Sequence, residues 1–173
     1  MKLNDLVNAE VYSETLKQAK AVIIAYQNAN RWADSVQEYV LMRFGMPTLA
    51  KIIHEQAHLF PARFDEFVDM LHERHLMATY GATEELDVAD AIDELPKVFE
   101  FMICLHDLIA KELVAFQKVA KEEGLPAMAI KTDNFITQNS TDCTKYFEMW
   151  EMWENSNKSL VSFDNWCKRY LDD

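Results

Sequence analysis

His54, Glu55 and His58 stand in the sequence HEQAH, and their types and spacing suit metal chemistry. On a helix the two histidines lie one turn apart on the same side, so their imidazoles can share a zinc ion while Glu55 acts as general base. That is the arrangement of a zinc hydrolase, which also needs a third ligand and normally a sheet edge to hold its substrate. The same stretch contains Glu55-x-x-His58, a carboxylate and an imidazole at i and i+3, the motif with which helical bundles hold two non-haem irons. The row extends if the helix continues through Pro61. Counting about 100° per residue from His54, His58 falls at about 40°, Asp65 at about 20°, Asp69 at about 60°, His72 at about 0° and Glu73 at about 100°. The apolar row Ile53, Phe60, Phe64, Phe67 and Leu71 centres at about 250°, which sets the ionisable row at the core boundary. Such a row suits a metal site or a subunit interface, and equally a solvated face laced with i, i+4 pairs.

The elements that position these groups are marked by Gly and Pro, which end helices through excess backbone freedom and through a missing N–H. Gly45, Pro47, Gly81, Pro96, Gly124 and Pro126 divide the chain into four long segments, 1–44, 48–80, 96–123 and 126–157. The third has Pro96 at its start, Gly124 at its end and a helical apolar stripe from Val98 to Val119. In the first, Leu6, Val7, Val11, Leu16, Val22, Ile23 and Tyr26 recur at helical spacing. An unbroken helix of that length would reach roughly 66 Å, so a break is expected near Asn28–Asn30. Ser162 is expected to cap a short final helix, and no run alternates with period two. The links are short, long and short. A link of about 15 residues over 81–95 can run back along a helix of roughly 42 Å, which makes the second and third long helices parallel. The expectation is an all-α, four-helix bundle with a long crossover between helices two and three, a short C-terminal helix and one domain over 1–173.

Composition narrows the function. With 17 basic and 29 acidic residues the net charge is −12, a balance that repels phosphate backbones and argues against direct DNA binding. No apolar stretch has signal-peptide or membrane-span length, so a cytoplasmic location without membrane insertion is expected. Cys104, Cys143 and Cys167 form no Cys-x-x-Cys pair and read as reduced structural thiols. The YFEMWEMWEN stretch reads as core or oligomer interface. Together with the 50% hydrophobic content, it suggests a homo-oligomer, at least a dimer.

The bundle layout and Glu55-x-x-His58 resemble the ferritin-like superfamily, and Asp69-Met-Leu-His-Glu73-Arg resembles the Asp-x-x-x-Glu-Arg segment of Dps-type mini-ferritins. In that family a histidine about fifteen residues before the aspartate joins the same iron site across a dimer interface, and His54 stands at that spacing from Asp69. The resemblance implies His54, Asp69 and Glu73 as iron ligands. It also implies Glu55 and His58 as a di-iron motif and Glu154, in CTKYFEMWEMWEN, as a further carboxylate position. Position 42, where mini-ferritins carry a second histidine, is Met42. The function implied is that of a ferritin-like metal-binding protein handling non-haem iron by storage or oxidation, with zinc as the alternative metal. His54 and Asp69 are about 22 Å apart along one helix, so an ion shared by them needs two antiparallel chains. A third class is a metal-free acidic interaction protein whose negative surface, centred on the six acids of residues 84–94, docks a basic partner.

Overall fold

The computed structural model describes residues 12–171, and Leu6, Val7 and Val11 of the first apolar stripe lie outside them. The elements are α1 (Ser13–Tyr39), a π-helical turn (Val40–Phe44), α2 (Pro47–His72), a one-turn α3 (Val88–Ala91), α4 (Leu95–Glu122), α5 (Pro126–Asn155), α6 (Leu160–Cys167) and a 3₁₀ turn (Lys168–Tyr170). No strand occurs among the described residues, and none of their helices is long and apolar enough to cross a membrane.

Side-chain contacts fix the helix directions. Asn30 meets Ala57 and Asp34 meets His54, so α1 and α2 are antiparallel. Glu123, just after α4, bonds the amides of Glu14 and Thr15 at the start of α1, so α1 and α4 are antiparallel as well. Helices α2 and α4 are therefore parallel, and residues 73–94 carry the chain from the end of one back to the start of the other. The core is a run of buried aromatics and aliphatics between the four long helices. Phe67 packs edge-on against Phe116 and Phe135, and Phe163 of α6 closes one end against Phe99 and Trp153. Within YFEMWEMWEN, Tyr146, Met149 and Trp153 are buried, while Phe147 is exposed.

Three local expectations are corrected. Helix α1 runs unbroken through Asn28–Asn30, because both asparagines spend their side chains on other segments instead of competing for their own backbone. Asn28 accepts from the Glu84 N–H at 2.9 Å, and Asn30 donates to the Ala57 carbonyl at 2.9 Å. The irregularity comes later, in the π-helical turn before Gly45, whose φ of 64° turns the chain. Helix α2 ends at His72 and not near residue 80. His75 adopts the left-handed conformation, φ 57°, and the Leu76 N–H bonds back to the Leu71 carbonyl at 3.1 Å, which closes the helix with the buried Leu76 as its apolar anchor. Gly81 lies inside the crossover, where a Cβ would meet Ile24 Cγ1 at 2.7 Å, so its lack of a side chain lets the strap lie on α1. The final helix begins at Leu160 with Ser159 as its cap, not Ser162.

Two helix starts are satisfied from a distance. Neither Tyr12 nor Met46, the residues preceding α1 and α2, caps with a side chain. Asp164 of α6 accepts instead from the Thr48 N–H at 3.0 Å and the Leu49 N–H at 2.9 Å, and Glu123 accepts from the Thr15 N–H at 2.9 Å. These carboxylates do the work of an N-cap and complement the positive helix end. Burial pushes the Glu123 carboxyl up, but the hydrogen bonds it accepts from Thr15 and Glu14 outweigh it and hold the group below its usual range.

Candidate metal centre

The candidate residues depend on α2 being continuous across Pro61. Proline has no N–H, so the Ala57 carbonyl one turn earlier loses its helical partner. Asn30 Nδ2 of α1 supplies the missing donor at 2.9 Å, and α2 runs without interruption from Pro47 to His72. Asn30→Ala is therefore expected to cost about 1–2 kcal/mol in the natural chain and clearly less when Pro61→Ala restores the helical N–H. A double-mutant cycle by urea denaturation reads the difference, and equal costs in both backgrounds would remove this role.

The ionisable row divides into two halves. At its N-terminal half, His54 Nε2 and His58 Nε2 are 3.1 Å apart, with ring centroids 4.4 Å apart and planes at 90°. Asp34 of α1 places Oδ1 4.0 Å from the other nitrogen of His54, Nδ1, and both side chains are 49% exposed. A carboxylate on that side favours the tautomer with the proton on Nδ1, which leaves the Nε2 lone pair open. Glu55 pairs with Lys51 at 3.8 Å in solvent. At the C-terminal half, Asp69 and Glu73 line a groove of about 340 Å³ between α2 and α5 with Glu66, Asn134 and Gln138, and Glu73 forms an ion pair with Lys131. Asp65 and His72 lie exposed along the same helix. The structure thus brings His54 and His58 together, sets Asp69 and Glu73 against the opposite neighbour, and adds Asp34, which sits on another helix where no local motif points to it. Among the described residues no group of three or more His, Cys, Asp or Glu side chains is placed to hold a metal ion. Among the described residues the zinc-hydrolase arrangement therefore has neither a third ligand nor a sheet edge.

A di-iron centre needs carboxylates and the i, i+3 histidine aimed into the bundle. Glu55 and His58 are instead exposed. The interior beside them is a cavity of about 10 Å³ lined by Tyr26, Gln56, Phe60, Arg63, Asn139 and Asp142, among others, with Asp142 its only carboxylate. The described residues do not fit two irons inside the bundle. What occupies the middle is a polar clasp. His106 Nδ1 and Asn139 Oδ1 are 2.8 Å apart, and Asn139 Nδ2 donates back to the His106 carbonyl at 2.8 Å. An amide oxygen can only accept, so Nδ1 carries the proton. Burial pulls the His106 imidazole below its ordinary pKa against the opposing hydrogen bond it donates to Asn139, and it pushes the fully buried Tyr146 hydroxyl up. The three thiols are free. Cys143 and Cys167 are buried, and burial pushes them up to about 11 and about 12, which keeps both protonated at neutral pH, while Cys104 is exposed.

No protein-family model and no curated protein matches the sequence. Solved structures do. An apo-ferritin from Pseudo-nitzschia multiseries superposes with a TM-score of 0.80 at 14% identity, covering 88% of this chain and 97% of its own. A variant of PmFTN soaked in iron gives 0.80 at 14% identity, covering 87% and 97%. The fold is ferritin-like, an all-helical bundle with the long crossover between helices two and three and a short C-terminal helix.

Proposed function

We propose that this ferritin-like chain binds a divalent transition-metal ion, ferrous iron or zinc, on the outer edge of α2 through His54 and His58, and that it runs no iron oxidation inside the bundle. The observation that supports the binding reading is the convergence of the two Nε2 atoms at 3.1 Å. Metal–imidazole bonds of about 2.0–2.1 Å at a tetrahedral angle set two nitrogens about 3.3 Å apart, so the pair is spaced to hold one ion between them. Asp34 would keep the ring of His54 in the binding tautomer. Glu55 and Asp65 would raise the local concentration of cations beside the pair. The iron assignment draws on the iron-soaked neighbour, and zinc is the competing occupant.

The test is anaerobic equilibrium dialysis of metal-stripped protein against ferrous iron and, separately, zinc, followed by oxygen uptake on adding ferrous iron in air. Binding that His58→Ala abolishes and Asp34→Asn weakens by about tenfold, with oxygen uptake no faster than buffer, is the expected result. Uptake well above buffer would overturn the inert interior, and binding indifferent to His58→Ala would overturn the site.

A second reading, a metal-free acidic docking protein, rests on the crossover. Trp32 Nε1 donates to the Glu84 carbonyl at 3.1 Å, Arg31 bonds Thr83, and Asn28 holds the Glu84 amide, so the acidic strap is presented on a fixed course. Between it and α1 lies a groove of about 640 Å³ that includes Met42, Glu84, Glu85 and Leu86. Failure to bind any metal, together with salt-sensitive capture of a basic peptide, would favour this reading.

A further inference from the structure

The two imidazoles occupy only half of a coordination sphere. They converge from one side, are exposed on the outside of α2, and have no third ligand among the described residues. Asp34 lies beside His54, but it approaches Nδ1, at the edge of the ring that faces away from the shared position. Glu73 is committed to Lys131, and α2 carries it and Asp69 to the other end of the helix, more than 20 Å from His54 at about 1.5 Å per residue. The open positions therefore face solvent and whatever docks there.

A twofold axis solves this with the least machinery, because an isologous contact repeats every residue of one copy on the other. An axis passing through the shared position brings two more imidazoles to it from the other side, which completes a tetrahedron. We infer that His54 and His58 are half of a metal site that a second copy of this chain completes with its own His54 and His58, four imidazoles around one zinc-class ion. The inference rests on the reading that this histidine pair binds metal, and it deepens that reading by naming the partner and the ligand set.

The chemistry of the set decides the metal. Four neutral imidazoles suit borderline ions such as zinc, cobalt, nickel and copper, and the ordinary order of divalent affinities places ferrous iron and manganese below them. A closed tetrahedron leaves no position for water or substrate, so the ion joins chains and performs no reaction. Charge makes the joint conditional. Each copy carries −12, so metal-free copies repel, and a divalent cation between the two α2 edges counters that repulsion at the contact, where Asp34 and Glu55 add to it.

Metal-stripped full-length protein titrated with zinc chloride tests this, with bound zinc measured by elemental analysis after gel filtration, mass by light scattering and geometry by cobalt(II) substitution. The expected result is one zinc for every two chains, an intense tetrahedral cobalt spectrum, and loss of both in His54→Ala and His58→Ala. Asp69→Asn should leave stoichiometry and spectrum unchanged. One zinc per chain, or a weak six-coordinate cobalt spectrum, would overturn the shared site while leaving metal binding by the histidine pair intact. No zinc bound at all would overturn both. Loss of binding in Asp69→Asn would replace the four-imidazole set with a mixed one. Both histidines are exposed, so their alanine variants should keep the parent circular dichroism, and a variant that does not is replaced by His54→Gln or His58→Gln.

Discussion

Asp164→Ala is expected to destabilise the protein by about 2–4 kcal/mol, from a lost helix cap plus two donors left unpaired in a dry setting. The carboxylate is 8% exposed, and the amides it receives belong to Thr48, 8% exposed, and Leu49, wholly buried, so water replaces it poorly. Asp164→Asn keeps one acceptor oxygen for the same two N–H groups and should recover most of the loss. The readout is the midpoint and slope of urea unfolding. A change below about 0.5 kcal/mol for the alanine variant, the range of ordinary surface substitutions, would show that α2 starts without this cap.

The clasp at the bundle centre predicts an effect of similar size and a distinctive pH response. Asn139→Ala leaves His106 Nδ1–H without its acceptor, in a ring whose Nε2 already lacks a donor, and should cost about 2–4 kcal/mol. Replacing both members with apolar residues, His106→Phe with Asn139→Leu, removes the polar atoms together and should return much of that loss. The sign of the pH effect follows from burial, which depresses the folded imidazole below its ordinary value of 6.5. Above that pH neither state carries the proton and the group contributes a constant term. As pH falls below about 6.5 the unfolded chain takes up a proton that the folded chain refuses, so stability declines with acidification. His106→Phe should flatten the stability profile between pH 7 and 5. An unchanged slope would mean that His106 titrates as freely in the fold as in the unfolded chain.

What could be read in advance follows the reach of each interaction along the chain. Gly124, with φ 80°, and Pro96 mark helix ends by their own backbone chemistry, and α4 lies within one residue of the expected span. The end of α2 was hidden because its left-handed residue is His75, a type that carries no such signal. Pro47 marked the start of α2 to within one residue, but the capping of α1 and α2 was hidden because the carboxylates come from residues more than a hundred positions away. The helical wheel already held the answer about the di-iron motif. Glu55 falls at about 100° and His58 at about 40°, against a core centred at about 250°, so a histidine and glutamate at the right spacing had the wrong phase. The convergence of His54 with His58 was legible from i, i+4 spacing, whereas Asp34 and the His106–Asn139 clasp required the packed helices.

The remote caps also bear on how the chain is made. Thr15 and Glu123 are 108 positions apart, and Thr48 and Asp164 are 116 apart. At about 5–20 residues per second, a ribosome reaches the capping carboxylate on the order of ten seconds after the amide it will satisfy. During that interval the α1–α2 hairpin emerges with bare N-terminal turns and with the apolar faces that α4 and α5 later cover. Nascent chains stalled before residue 123 should therefore bind holding chaperones, and release should follow synthesis of α5 and α6.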